Sequence, residues 1–219
     1  MSLETTIRSD TAERHRKKYL SKNPVQRYVL NRLFDRIAAL LRSDPPDSVL
    51  DVGCGEGFFL REMRARGALV GRYTGIDLRP DALSEAAALH PGETFLNVDL
   101  LDWDQAPRSF DLIIASQVLE HLPNPEPMLR QICRLAKRSV LVTVPLEPYF
   151  QLMNLLRGRD LCRLGNHPEH VQRWTFSGIQ RTLSPWLVCE SAFRVFPFSV
   201  VYGKPRGGSG GCAQEGSTG

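Results

Sequence analysis

Three glycines at alternate positions follow a short apolar segment near residue 50, and this stretch constrains the fold more than any other. Residues 48–52 have the composition of a buried strand, and residues 58–66 return to a helical spacing of apolar side chains. Gly53, Gly55 and Gly57 allow a sharp turn where a Cβ would collide with a ligand or with the next helix. A strand, a glycine turn and a helix open an α/β nucleotide-type site, in which N–H groups at the helix start face the ligand.

The spacing of the glycines argues against a dinucleotide ligand. A dinucleotide fingerprint has its third glycine three residues after the second, and the bulky ring of Phe58 takes that position here. The pattern from Asp51 to Gly57, Asp-x-Gly-x-Gly-x-Gly, resembles motif I of the class I S-adenosylmethionine (SAM)-dependent methyltransferases. An NAD-dependent oxidoreductase is therefore the weaker interpretation.

Length and composition indicate one folded domain with short appendages. The chain has 219 residues, of which 42% are hydrophobic and 24% charged, as in ordinary globular proteins. No apolar run approaches the ~20 residues of a membrane helix, and the polar N-terminus lacks the apolar core of a signal peptide, so we expect a cytoplasmic protein. We expect a flexible segment over residues 1–22, the domain over 23–203 and a disordered tail over 204–219.

Charge and cysteine content point to neither nucleic acid nor metal. The net charge is +4, with basic residues concentrated in residues 14–18 and 157–173. Because no recognition motif or interleaved aromatic platform accompanies them, we interpret these as solvated surfaces, and an anionic small substrate stays open. The five cysteines are odd in number and lack a Cys-x-x-Cys pair, which indicates reduced thiols rather than a disulfide framework or a zinc site.

Periodicity along the chain predicts an α/β order of elements. A helix is expected over residues 24–42, beginning at Pro24 with an apolar face at helical spacing. Further helices are expected from Pro80, over 127–137 and over 176–183. Strands are expected over 48–52, 73–77, 94–98, 110–115, 139–144, 187–193 and 196–202. Helical connections between consecutive strands imply a mostly parallel, seven-stranded sheet covered on both faces, with the last two strands as an antiparallel closing hairpin.

Asp77 lies at the expected carboxyl end of the second strand, roughly 20 residues after the glycine turn, where such sheets present an acid to a ribose. Its carboxylate would accept hydrogen bonds from both ribose hydroxyls. An isolated aspartate here could instead cap the next helix, but Pro80 and Asp81 can begin that helix. We therefore favour the ligand role, with Leu78 beside it in the site.

Further motifs strengthen the resemblance, which covers about residues 24–203. Phe-Asp-Leu-Ile at 110–113, followed by Val-Leu-Glu-His-Leu at 118–122, is a familiar signature of this enzyme class. Residues 144–149 and 164–174 look like a branch related to ubiquinone and menaquinone biosynthesis methyltransferases. The resemblance implies a Rossmann-like class I fold, SAM as cofactor with S-adenosylhomocysteine (SAH) as product, and methyl transfer to an O, N or C atom of a small molecule.

The resemblance also implies residue roles on the cofactor side. The turn after the first strand would hold the methionine portion, Asp99 the adenine amino group, the Leu100 N–H a ring nitrogen, and the carbonyls of Ser116 and Gln117 the ammonium. Cys54 has no base placed beside it and is interpreted as a small buried residue. The predicted cofactor-binding residues are Asp51, Gly53, Cys54, Gly55, Gly57, Asp77, Leu78, Asp99, Leu100, Ser116 and Gln117.

Acceptor-side residues are predicted from position and chemistry. His121 follows the fourth strand and is either a general base or a histidine that braces its loop by bonding Glu120. Tyr149, His167, His170 and Trp174, in a substrate-side insertion over about 146–175, are candidate substrate contacts, although Tyr149 and Trp174 would equally suit a core. His167 and His170 flank Glu169, but the sequence offers no distant third ligand beside them, so no metal is expected.

A second interpretation of the chain is a SAM-binding module without catalysis. In that case the loop around His167 to Trp174 would serve a protein partner. Binding without turnover on any acceptor would distinguish this module from a methyltransferase.

Overall fold

A computed structural model describes residues 23–146, 172 and 174–206. The strands are β1 (Ser48–Val52), β2 (Arg72–Ile76), β3 (Thr94–Leu96), β4 (Phe110–Ser116), β5 (Ala136–Pro145), β6 (Leu187–Val195) and β7 (Phe198–Pro205). The helices are α1 (Pro24–Ser43), α2 (Phe58–Arg64), α3 (Pro80–Leu89), α4 (Glu126–Leu135) and α5 (Phe176–Leu183), with a 3₁₀ turn at Leu119–His121. None of these described helices is both long and apolar enough to cross a membrane.

The strands form one seven-stranded sheet in the order β3-β2-β1-β4-β5-β7-β6. β1 pairs in parallel with β2 and β4, and the outer pairs β2–β3 and β4–β5 are also parallel. β7 runs antiparallel to both β5 and β6. The strand order reverses between β1 and β4, which leaves a crevice at their carboxyl ends. The predicted fold class, mostly parallel with an antiparallel closing hairpin, is confirmed.

Helices cover both faces of the sheet because their apolar side chains recur at helical spacing. α1 begins at Pro24, where the side chain of Asn23 caps it by accepting hydrogen bonds from two backbone N–H groups. One core contains buried residues of α1 and α2, including Phe34, Ile37, Leu60 and Met63. The other contains those of α4 and α5, including Leu129, Ile132, Ile179 and Leu183.

Several element boundaries differ from those expected from the sequence. β3 ends at Leu96. At the next residue the side-chain amide of Asn97 donates a hydrogen bond to the Asp77 carbonyl at 2.9 Å. β5 starts directly after α4, at Ala136. Lys204 and Pro205 belong to β7 and pair with β6, so the expected tail does not begin at residue 204. The expected N-terminal segment, most of the insertion and the chain after 206 lie outside the described residues.

Truncation of Ile37 tests whether α1 is part of the core. Its side chain is fully buried, whereas Val25 on the same helix is 63% exposed. We expect Ile37→Ala to lower the free energy of unfolding by about 2–5 kcal/mol, since it leaves a cavity, and Val25→Ala by less than about 0.5 kcal/mol. Urea unfolding at 25 °C measures both. Equal losses would contradict the placement of this helix.

Candidate functional site

A cavity of about 610 Å³ lies at the carboxyl ends of β1, β2 and β4. This volume falls within the roughly 300–1,000 Å³ common for small-molecule sites. Of the cofactor-binding residues predicted from the sequence, the lining includes Asp51, Gly53, Cys54, Gly55, Asp77, Leu78, Asp99, Leu100, Ser116 and Gln117. The topology therefore brings residues from widely separated parts of the chain to one pocket.

Gly57, the last glycine of the motif, is not among the lining residues. It caps α2 in a left-handed conformation (φ +75°), and its carbonyl oxygen lies 2.9 Å from Nε2 of His90. A Cβ on Gly57 would come within 2.9 Å of the same imidazole. This glycine therefore allows α2 to pack against the end of α3.

The glycine turn is tied to β2 by backbone hydrogen bonds. The N–H groups of Gly53 and Cys54 both donate to the carbonyl of Ile76, at 2.8 and 3.0 Å. Gly53 and Gly55 have φ values of +70° and +54°, a region that side chains with a Cβ rarely adopt. A Cβ on Gly53 would also lie 2.8 Å from Cγ2 of Val118, in the loop after β4.

Asp77 organises the polar side of the pocket. Its Oδ2 accepts a hydrogen bond from the Gly55 N–H at 2.9 Å, and its Oδ1 accepts one from the Arg79 N–H at 2.9 Å. The Arg79 guanidinium pairs with Asp77 at 3.4 Å and with Glu56 at 3.3 Å. Burial lowers the pKa of Arg79, but these carboxylates outweigh it and the pKa is raised. The sequence carried no motif that singled out Arg79 or Glu56.

Asp51 is among the residues that line the pocket and is only 1% exposed. The Tyr73 hydroxyl donates a hydrogen bond to its Oδ2 at 2.6 Å. Burial raises the pKa of Asp51 to about 7, against the lowering effect of Tyr73, and the charge of Asp77 raises it further. Burial also raises the pKa of the Cys54 thiol far above its usual range, so Cys54 carries no thiolate at neutral pH.

Residues of the loops after β3 and β4 also line the pocket. Oδ1 of Asp99 accepts a hydrogen bond from the Leu101 N–H at 2.9 Å. Gln117 has a positive φ of 62°, and its N–H donates to the Thr143 carbonyl at 2.9 Å. The Ser116 and Thr143 hydroxyls share a hydrogen bond at 2.8 Å. β5 thus holds the strained end of β4, a role for Thr143 that the sequence did not indicate.

The predicted acceptor-side residues divide into three groups. His121 lines the pocket from the 3₁₀ turn. Trp174 is 7% exposed, belongs to the apolar core beside α4 and α5, and does not line the pocket, a placement that suits a core role. Tyr149, His167 and His170 lie outside the described residues. In residues 23–146, 172 and 174–206, no three His, Cys, Asp or Glu side chains cluster as metal ligands would.

The sheet order, the glycine turn and the crevice define a Rossmann-like protein with the fold of the class I methyltransferases. The model of the methyltransferase domain family matches residues 25–185, and the chain belongs to this family.

Similar proteins agree with this assignment. The chain is 41% identical over 145 residues to the ubiquinone biosynthesis O-methyltransferase of Dechloromonas aromatica, covering 58% of this chain and 61% of that protein. It is 38% identical over 126 residues to that of Nitrosomonas europaea, covering 53% and 52%. The chain therefore spans about half the length of the curated relatives that it matches.

Solved structures share the fold. Magnesium protoporphyrin IX methyltransferase from Synechocystis with bound SAH has a TM-score of 0.65 and 22% identity, over 89% of this chain and 94% of that one. The plantazolicin methyltransferase in complex with SAH has a TM-score of 0.62 and 15% identity, over 93% and 99%.

An alanine at Gly53 tests the close approach of the turn to the loop after β4. Gly67 is a matched control, because its φ of +66° is similar to the +70° of Gly53 but no atom lies within 4 Å of the position that a Cβ would take there. We expect Gly67→Ala to cost roughly 1–2 kcal/mol from the left-handed backbone alone. Gly53→Ala should cost more, since Val118 must also move. Equal losses in urea unfolding would show that this contact imposes no constraint.

Proposed function

We propose that this chain transfers the methyl group of SAM to an O, N or C atom of a small-molecule acceptor. The observation that carries the proposal is the pocket that joins the glycine turn, Asp77, Asp99 and His121. Family membership supports the same reaction. The relatives named as O-methyltransferases favour an oxygen acceptor.

The residues present fit SAM. Gly53 and Gly55 line the pocket with positive φ values and no side chains, so a ligand can approach their backbone closely. Each oxygen of Asp77 accepts from the protein but retains acceptor capacity, since a carboxylate has about four lone-pair sites. We assign Asp77 to the ribose hydroxyls, and Asp99 with Leu100 to adenine.

The glycine turn and the end of β4 would hold the remaining part of the cofactor. We assign residues 51–57 to the methionine portion, with Gly57 acting through helix packing, and the carbonyls of Ser116 and Gln117 to its ammonium group. The Gln117 N–H donates to the Thr143 carbonyl, and the Ser116 and Thr143 hydroxyls share a hydrogen bond. These two bonds keep the carbonyls in place. Leu78, which is 63% exposed, offers an apolar surface at the pocket edge.

SAM supplies a methyl group that is already activated by the positive sulfonium. The chain has to align the acceptor with that carbon, exclude water and take up the acceptor proton where the acceptor carries one. His121 lines the same pocket and is the proposed base, because the usual pKa of histidine lies near neutrality. Tyr149, His167 and His170 stay predicted substrate contacts. The cytoplasmic location and the exclusion of nucleic acids also stay predictions.

Calorimetric titration tests the cofactor assignment. We expect saturable binding of SAM and SAH and none of NAD. Asp77→Asn should weaken SAM binding by about 1–3 kcal/mol, since it removes charged hydrogen bonds. Asp81→Asn is the matched control, because this exposed residue in the first turn of α3 does not line the pocket. Unchanged affinity of Asp77→Asn would contradict the ribose contact, and a folded chain that binds neither SAM nor SAH would contradict the function.

His121→Gln tests the proposed base once a hydroxylated acceptor has been found by screening for transfer of radiolabelled methyl. We expect kcat to fall by about 10²–10⁴-fold, with the acidic limb of the pH–rate profile lost and the affinity for SAM unchanged. A loop-bracing role predicts a different result, namely a preserved pH profile. That preserved profile would remove His121 from the chemistry.

A further inference from the structure

Acidic residues outnumber arginine and lysine residues in the lining of the pocket. Its lining residues include the acids Asp51, Glu56, Asp77 and Asp99 and the arginine Arg79. Arg79 pairs with Glu56 and Asp77, whereas the hydrogen bond to Asp51 comes from a neutral hydroxyl. Asp51 is also the most buried of these carboxylates. Its charge is therefore the one that solvent and the guanidinium screen least.

The two forms of the cofactor differ by one charge. SAM carries a sulfonium, and after the methyl leaves, the electron pair of the broken C–S bond stays on sulfur and makes it a neutral thioether. All other groups of SAM and SAH are the same. A buried carboxylate in the pocket thus interacts with the two ligands differently mainly through this charge.

We propose that Asp51 makes this pocket prefer SAM to SAH, and that the preference strengthens as Asp51 ionises. The inference rests on the proposed function, because it takes the pocket to be the cofactor site. Loss of the sulfonium charge during transfer would then also weaken the hold on the product. Asp51 would act as a specificity determinant in addition to shaping the turn.

The groups around Asp51 shift its pKa toward neutral pH. Burial raises the pKa of Asp51 to about 7, and the charge of Asp77 at the end of β2 acts in the same direction. Tyr73 on β2 opposes them, since its hydrogen bond favours the ionised form. Cys54 in the turn stays neutral because burial raises its pKa. With a pKa of about 7, the ionised fraction of Asp51 rises between pH 6 and pH 8.

Other charged and titratable groups lie near this carboxylate. Arg79 forms an ion pair with Glu56. Burial raises the pKa of Tyr73, and the charge of Glu93 acts in the same direction. His121 lines the same pocket from the loop after β4, and histidine is a side chain that ordinarily changes charge near neutral pH. A His121→Gln background separates its contribution from that of Asp51.

The test is calorimetry of the full chain with SAM and with SAH at pH 6, 7 and 8, in buffers that differ in ionisation enthalpy. We expect the ratio of the SAH dissociation constant to that of SAM to rise about three- to tenfold from pH 6 to pH 8. SAM should release more protons than SAH at pH 7. Asp51→Asn should lower the ratio and leave it nearly constant with pH, whereas Asp81→Asn and His121→Gln should keep the wild-type trend.

The outcomes separate this inference from the proposed function. If both ligands bind and Asp51→Asn retains the wild-type ratio and pH dependence, the inference is wrong and the cofactor assignment stands. If the folded wild type binds neither ligand, both are wrong. Tyr73→Phe provides a second variant that keeps the carboxylate. It should move the midpoint of the pH dependence upward, and an unchanged midpoint would contradict the inference.

Discussion

The site depends on the hydrogen bonds that fasten the glycine turn to β2. Gly53 and Cys54 donate to the last carbonyl of β2, and Gly55 donates to the Asp77 carboxylate one residue further on. These bonds join the ends of two neighbouring parallel strands, so the turn and the acid are positioned together. Because the turn residues need positive φ values, only glycine meets the requirement without strain.

The same connection concentrates carboxylates in a small volume, and the protein offsets this in two ways. Arg79 forms ion pairs with both Asp77 and Glu56 and balances one of their two negative charges. Asp51 receives a hydrogen bond from Tyr73, and burial favours its neutral form. The pocket thereby combines a hydrogen-bonded glycine turn with a negative field. A negative field suits a cofactor that carries a positively charged sulfonium.

Most of the fold could be predicted because helical and strand periodicities are local signals. α1, β1 and the succession of strands and helices along the chain followed from apolar spacing and from glycine and proline positions. The ends of β3 and β7 could not be predicted from local signals, since they depend on pairing with neighbouring strands and on the hydrogen bond from Asn97. On the site, motif residues were predictable, whereas Arg79, Tyr73 and Thr143 act through contacts between distant segments.

The sequence by itself determined the fold class, the family and the residue types of the glycine turn, because each of these depends on short-range patterns. Only the tertiary structure decided that Gly57 packs against His90, that Trp174 lies in the core, and that Asp51 is buried against Tyr73. Burial and charge proximity arise when separate strands are placed side by side. The protonation state of Asp51 is therefore a property of the folded sheet and is not encoded in its local sequence.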